Sequence, residues 1–420
     1  MNIADAFGQA RTQQRPLLLY WGAVWCPPCN RLKSEIFAHE DFIARQDALV
    51  FYHLDGDSPG AQALGARYRL RSYPTLVLFA PDGSEITRLP CELGGEEFVA
   101  ALDNALAVHA AGSSAALALD AALTGARAPS APEWSLLAHY SWDTDEGALL
   151  GARDAAAVLW SLVAACDAAG ARATGMRLQL HAQLASAGRH TDPVANGEAL
   201  LAIARDATLA RQNMDLFTNH GVTLIKFAGR REAVAAVLSA EAARWADDMW
   251  LGAPDRLAAV RLQMRLSRLL GPSQGLQDVV RARVEQTLAE ATDPYQRHTL
   301  VNTAVSALND AGLAEQAQQV LLDELPRSHA PYYFMLSLAA AARRRGDAAG
   351  VLDWYGKAWQ AAVGPATRLQ WGVTYLLAVR ELAPQDAGRV EALLRADIAA
   401  AGADADQQRS LGQLRKVGLA

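Results

Sequence analysis

The chain has 420 residues, of which 51% are hydrophobic and 20% charged, with 45 acidic against 39 basic side chains, a net charge of -6 and four cysteines. At about 150 residues per domain this length fits two or three domains, and the acidic balance speaks against nucleic-acid binding, because phosphate contacts need Lys and Arg. Four cysteines in such a chain cannot build a disulfide scaffold, but they can supply one reactive pair.

In chain order, Asn2 to Gln14 has a helical pattern. Leu17-Leu18-Leu19-Tyr20-Trp21-Gly22 then reads as a strand, entered from Pro16. A helix is expected from Pro28 to Ile36. A second strand, Leu49 to Leu54, closes on Asp55-Gly56-Asp57-Ser58-Pro59-Gly60, and a helix follows from Ala61 to Tyr68. Thr75 to Phe79 and Glu85 to Leu89 flank the turn Pro81-Asp82-Gly83 and predict a hairpin. Glu96 to Ala110 is again helical. This order predicts a small α/β domain with a mixed sheet over residues 1–111.

Beyond Ala111-Gly112-Ser113-Ser114 the strand signals fade. Apolar residues recur at three and four spacing, as in Val158, Leu159, Leu162, Val163 and Cys166, so residues 112–420 are expected to be all-α. Thr124 to Pro132 reads as a loop. Gly312 and Gly346 lie 34 residues apart, each between two helical stretches, and the second copy continues Trp354-Tyr355-Gly356-Lys357-Ala358 with Pro365 beyond. The pattern resembles tetratricopeptide repeats, in which small residues let paired helices pack; the alternative is an irregular helical bundle. No stretch approaches the roughly 18 apolar residues of a membrane helix. Phe98 to Leu123 comes nearest and is broken by Asp103, Asn104, His109 and Asp120. Met1 to Asp5 has no signal-peptide character, which predicts a cytoplasmic protein as written, or a periplasmic one if a signal has been removed.

The chemistry concentrates in Trp25-Cys26-Pro27-Pro28-Cys29, directly after the first strand. A cysteine at a helix N-terminus faces unpaired N–H groups and the positive end of the helix dipole, which favour a thiolate. Pro27 and Pro28 suit the first turn, where a missing N–H costs nothing. Cys29 lies one turn on, within reach of a mixed disulfide on Cys26. Half of a zinc site is the competing explanation, but zinc takes four ligands, and no second Cys-x-x-Cys or paired histidines accompany this one. No metal and no cofactor beyond a redox-active Cys26–Cys29 disulfide is expected.

Trp25 to Cys29, Asp57-Ser58-Pro59-Gly60, Tyr73-Pro74-Thr75 and the Asp82-Gly83 turn occur in the order and spacing of the thioredoxin superfamily, and roughly residues 5 to 110 resemble it. The resemblance implies that Cys26 is the nucleophile and Cys29 the resolving thiol. It also implies that Pro74 is cis and faces the pair, that the Tyr73 backbone pairs with an extended substrate, and that Trp25 belongs to an apolar docking surface. The chain departs from the family at three positions. The buried carboxylate expected six residues before the first cysteine is Tyr20, and its companion lysine aligns with His53. Tyr20 is then either a packing residue or part of a weaker relay with His53. Cys91 falls where the family has a groove-lining glycine, as an inert small residue or as a third thiol of regulatory use.

Residues 112–420 carry few chemical signals. Eight of the ten tryptophans lie there: Trp134, Trp142, Trp160, Trp245, Trp250, Trp354, Trp359 and Trp371. They are expected to pack between helices. Cys166 is expected in the core, Ser141 to Glu146 and His190 to Pro193 as helix starts, and His139, His181, His220 and His298 have no visible partner. The expected function is a thiol-disulfide oxidoreductase acting on protein disulfides, with a protein electron donor or acceptor and a helical domain that recruits a protein partner. The alternative is an interaction or scaffold protein in which the thioredoxin-like module is incidental.

Overall fold

A computed structural model describes residues 2–400 other than 187, 190, 191 and 272–274, together with 415 and 418. The N-terminal part holds helix α1 (Ile3–Gln13), strand β1 (Leu17–Gly22), α2 (Pro27–Arg31), α3 (Glu40–Ile43), β2 (Val50–Asp55), α4 (Ala61–Arg67), β3 (Thr75–Phe79), β4 (Glu85–Leu89) and α5 (Gly95–Ala110). The sheet runs β2-β1-β3-β4, with β1 parallel to β2 and antiparallel to β3, and β3 antiparallel to β4.

Both faces of this sheet are covered, which is why β1 is apolar throughout rather than alternating. Leu17, Leu19 and Trp21 face α1 and α4 together with Val77 and Phe79. Leu18 and Tyr20 face the other way with Leu76 and Leu78, toward Leu32, Phe98 and Leu102. After Arg31 the backbone widens into a π-helical turn, Leu32–Ile36, where a continuous α-helix had been expected. The Phe37 N–H pairs with the Leu32 carbonyl at 2.8 Å. The added width lets Leu32, Ile36 and Phe37 all pack into one cluster.

From Ala115 to Ala400 the described chain is a succession of helices, the first Ala115–Thr124 and the last Ala387–Ala400. Gly312 and Gly346 sit in one and the same turn. Their φ angles are 78° and 72°. Behind Gly312, the Leu313 N–H reaches back to the Leu308 carbonyl at 2.8 Å, and behind Gly346 the Asp347 N–H reaches Ala342 at 3.0 Å. This is the Schellman closure, in which a left-handed glycine ends a helix cheaply. Gly112 and Gly170 close their helices with the same bond pattern, outside the 34-residue spacing.

Cys166 is fully buried and Trp134, Trp245, Trp359 and Trp371 are buried, but Trp250 is 95% exposed at a loop tip. Ser141 to Glu146 holds a short 3-10 turn, Trp142–Thr144, and organises the loop after it rather than capping the next α-helix, which starts at Ala155. The Asp145 carboxylate accepts from the Tyr140 hydroxyl and from the N–H groups of Gly147, Leu149 and Leu150. Asp192 caps the helix Pro193–Arg205 through the Val194 N–H, whereas His190 and Thr191 lie outside the described residues. Among the described residues no single helix is long and apolar enough to cross a membrane.

The apolar core does not stop at Ala111. The cluster under the Cys26 face of the sheet continues into Leu136, Tyr140, Tyr332, Trp359, Leu369, Trp371 and Leu376. Arg88 pins the same junction. Its side chain is fully buried, pairs with Glu85 and donates to the carbonyls of Tyr68, Arg69 and Thr144. Its own carbonyl accepts from the Ser141 N–H at 3.0 Å.

Candidate active site

Cys26 is the N-cap of α2, with extended backbone, and Pro27 and Pro28 occupy the first turn. The Cys29 N–H, one of the helix's unpaired donors, points at Cys26 Sγ at 3.3 Å. Both cysteines are free thiols, 2% and 0% exposed. The Tyr73–Pro74 peptide is cis. Cys91 Sγ lies 3.7 Å from the Pro74 carbonyl and is also buried. The fold therefore gathers Cys26, Cys29, Tyr73, Pro74 and Cys91 at the C-terminal end of β1.

Around Cys26 the electrostatics run opposite to the expectation of a readily formed thiolate. Burial, reinforced by the neighbouring Cys29 thiol, pushes the Cys26 pKa well up and outweighs the Cys29 N–H that lowers it. A helix N-terminus lowers a thiol pKa and burial in apolar surroundings raises it, and at Cys26 burial is the larger of the two. Cys91 is raised for the same reason, burial first and then the charge of Glu92.

Tyr20 is buried, its hydroxyl 3.4 Å from the Cys29 carbonyl. Its ring stacks on His53, directly across in the β1–β2 register, with centroids 4.6 Å apart. Burial and the Cys29 thiol drive the phenol pKa far above its ordinary value, which favours the protonated hydroxyl. Desolvation and the Lys33 charge hold His53 down at about 4. The face-to-face stack is the contact of a packing pair within the sheet register.

Trp25 is only 8% exposed and does not line an open docking surface. It packs edge-on to Tyr73 from its own region, but also stacks on Tyr333 at 5.7 Å and meets Trp371 edge-on at 5.3 Å. Its indole N–H donates to the Thr367 hydroxyl at 2.7 Å. The backbone of the cysteine loop is engaged as well. His298 Nε2 donates to the Trp25 carbonyl at 2.9 Å, His329 Nε2 to Val24 at 3.1 Å, and the Thr299 hydroxyl to Pro27 at 2.7 Å. The sequence shows no partner for His298 and nothing that marks Thr299, His329, Tyr333 or Thr367. No local motif marks them, because their partners lie about three hundred residues away. Of the other lone histidines, His139 bonds the Ser135 carbonyl and His220 approaches Asp143 at 3.9 Å, while His181 Nε2 is buried without a partner. Among the described residues no three His, Cys, Asp or Glu side chains cluster to hold a metal ion.

Comparison with known proteins agrees with this geometry. A family described as the thioredoxin-like domain matches residues 3–106. The thiol:disulfide interchange protein DsbD 1 of Pseudomonas aeruginosa is 32% identical over 86 residues, which are 20% of this chain and 15% of that protein. The chain therefore spans only a small part of that relative's length. No solved structure matches the chain. The N-terminal part of the molecule is a thioredoxin-superfamily domain, followed by a large all-helical region.

Proposed function

We propose that the protein is a thiol-disulfide oxidoreductase acting on protein disulfides through Cys26 and Cys29. The observation that carries this is the cap geometry: Cys26 Sγ at the head of α2, with the Cys29 N–H directed at it at 3.3 Å beside the Tyr73–Pro74 loop. The Cys26 thiolate attacks one sulfur of a substrate disulfide, forms a mixed disulfide and expels the first substrate thiolate. Cys29, as thiolate, attacks Cys26 Sγ, closes the Cys26–Cys29 disulfide and expels the second. Two electrons pass to the substrate, and the two protons of the dithiol end on its two sulfurs. A dithiol donor restores the reduced protein. In this scheme the Cys29 proton leaves with the departing substrate thiolate or to water, and Tyr20 serves as packing. Direction follows the redox poise of the compartment, reductive in the cytosol and open to either sense in the periplasm.

Residues 1–111 would carry this chemistry, and residues 112–420, with their tetratricopeptide-like turns at Gly312 and Gly346, would recruit a protein partner. One observation favours the scaffold alternative, the 2% exposure of Cys26. Insulin reduction separates the two. Turnover that disappears in Cys26→Ser supports the oxidoreductase, and folded protein whose Cys26 is open to a thiol reagent but which never reduces insulin supports the scaffold. Capture with Cys29→Ala, which cannot resolve the mixed disulfide, would then identify the substrate.

A further inference from the structure

Trp25 and the cysteine loop, beside which an extended substrate would lie, are covered by the chain itself. Three helices form the cover. Pro294–Asp310 brings His298 and Thr299, Pro331–Arg344 brings Tyr333, and Pro365–Leu382 brings Thr367 and Trp371. The contacts converge on one bolt. Asp57 accepts from the Thr367 N–H at 2.8 Å and from its hydroxyl at 2.5 Å, and that same hydroxyl accepts the Trp25 indole N–H at 2.7 Å. The backbone at Gly364 presses so close to the Asp57 side chain that a Cβ there would overlap it, and its φ of 91° suits only glycine. The cover is polar at its edge and aromatic at its centre. Because Trp371 belongs to the shared apolar core, only the polar edge, where Thr367 meets Asp57, can part while that core holds.

We propose that the helical region decides what reaches Cys26: it covers Trp25 and the cysteine loop, and a protein disulfide gains access only when the segment around Gly364–Thr367 lifts from Asp57 and Trp25. Thr367, Trp371 and Tyr333 are then specificity-determining residues. They exclude disulfides on unrelated proteins and admit those whose binding displaces Thr367. The consequence for substrates rests on the oxidoreductase proposed above, but the cover itself does not.

The test is alkylation of the full-length reduced protein, with Cys26 modification followed by peptide mass spectrometry using iodoacetamide and a maleimide carrying a polyethylene glycol chain. Wild-type Cys26 is expected to react roughly a hundredfold more slowly than in urea-unfolded protein at the same pH. Asp57→Ala, Thr367→Val and Gly364→Ala should each raise the native rate about tenfold or more, most for the bulky reagent, while Cys166 stays unlabelled as the sign of an intact fold. Wild-type labelling near the unfolded rate overturns the cover. So does an unchanged rate in all three variants. A variant in which Cys166 also labels has unfolded as a whole, and the wild-type rate and the remaining variants then decide. The oxidoreductase fails separately, if folded variants with a freely labelled Cys26 reduce no insulin.

Discussion

The two faces of the sheet are built from the same strands yet completed in different ways. The face of Leu17, Leu19 and Trp21 is closed by Ile3, Ala6, Ala10, Ala61 and Leu70, all within the first eighty residues. The face of Leu18 and Tyr20, which carries Cys26, begins in the same local manner with Leu32 and Phe98 and ends on Trp359, Leu369, Trp371 and Leu376. The first face needs only neighbours in sequence. The second needs the far end of the chain, and the chemistry sits on the second. A reactive group placed on a face completed from a distance has its exposure set by that distant partner.

The largest effect tests where the chemistry lies. With the cover opened by Asp57→Ala, adding Cys26→Ser should reduce insulin turnover to the uncatalysed background, and adding Cys29→Ala should accumulate mixed disulfide with Cys26, seen as a mass increase reversed by dithiothreitol. Equal turnover in Cys26→Ser would move the chemistry off this face. Next comes the junction. Arg88→Met removes a buried guanidinium and leaves the carbonyls of Tyr68, Arg69 and Thr144 unpaired. A loss of about 4 kcal/mol is expected in urea unfolding. Leu376→Ala empties a fully buried site in the shared core. It should cost about 3 kcal/mol, and tryptophan fluorescence and far-UV circular dichroism should report one common transition. Two separated transitions, with only the helical one shifted, would break the picture of a continuous core.

Acid should loosen the same face. Burial holds His298 at about 4, below its ordinary 6.5. A depressed folded-state pKa means that the stability is present above pH 6.5 and is lost as pH falls toward 4. Its share, from the shift of 6.5 to about 4, is on the order of 3 kcal/mol. His329 is depressed by burial, and His139 and His181, at about 4 and about 3, act in the same sense. Cys26 labelling relative to the unfolded control at each pH should therefore rise between pH 6.5 and 4, and His298→Gln should flatten part of that rise. A flat ratio across this range would remove His298 from the cover. The smallest effect is expected at Tyr20. Tyr20→Phe keeps the stack on His53 and loses one long hydrogen bond, so stability should change by less than about 1 kcal/mol and the rate at which Cys29 resolves a mixed disulfide by less than about threefold. A tenfold slowing would return a chemical role to the hydroxyl.

Much of the fold was legible from local pattern. The four strands, the helices expected from Pro28 and Glu96, which start one residue earlier, and the turns at Gly312 and Gly346 follow from apolar runs, prolines in first turns and left-handed glycines. The π-turn at Leu32–Ile36 was not, because its cause is the tertiary demand to bury Leu32, Ile36 and Phe37 together. The role of Asp145 was misplaced for a related reason: an acidic run reads as a helix cap until its backbone partners are known.

What the sequence determined by itself is the local chemistry: a cysteine at a helix cap, a second one turn later, and strands whose residues alternate between two buried faces. These depend on neighbours within a few residues, and spacing encodes them. Tertiary structure alone decided that Trp25 is roofed by Tyr333 and Trp371, that His298 and Thr299 hold the cysteine loop, and that Thr367 bolts to Asp57. The Trp25–Thr367 bond joins residues 342 apart. No local period records such a pairing, because each side chain is unremarkable in its own helix. Only the packing of the whole chain brings them over Cys26, and the loss of water there raises the thiol's pKa against the pull of its own helix.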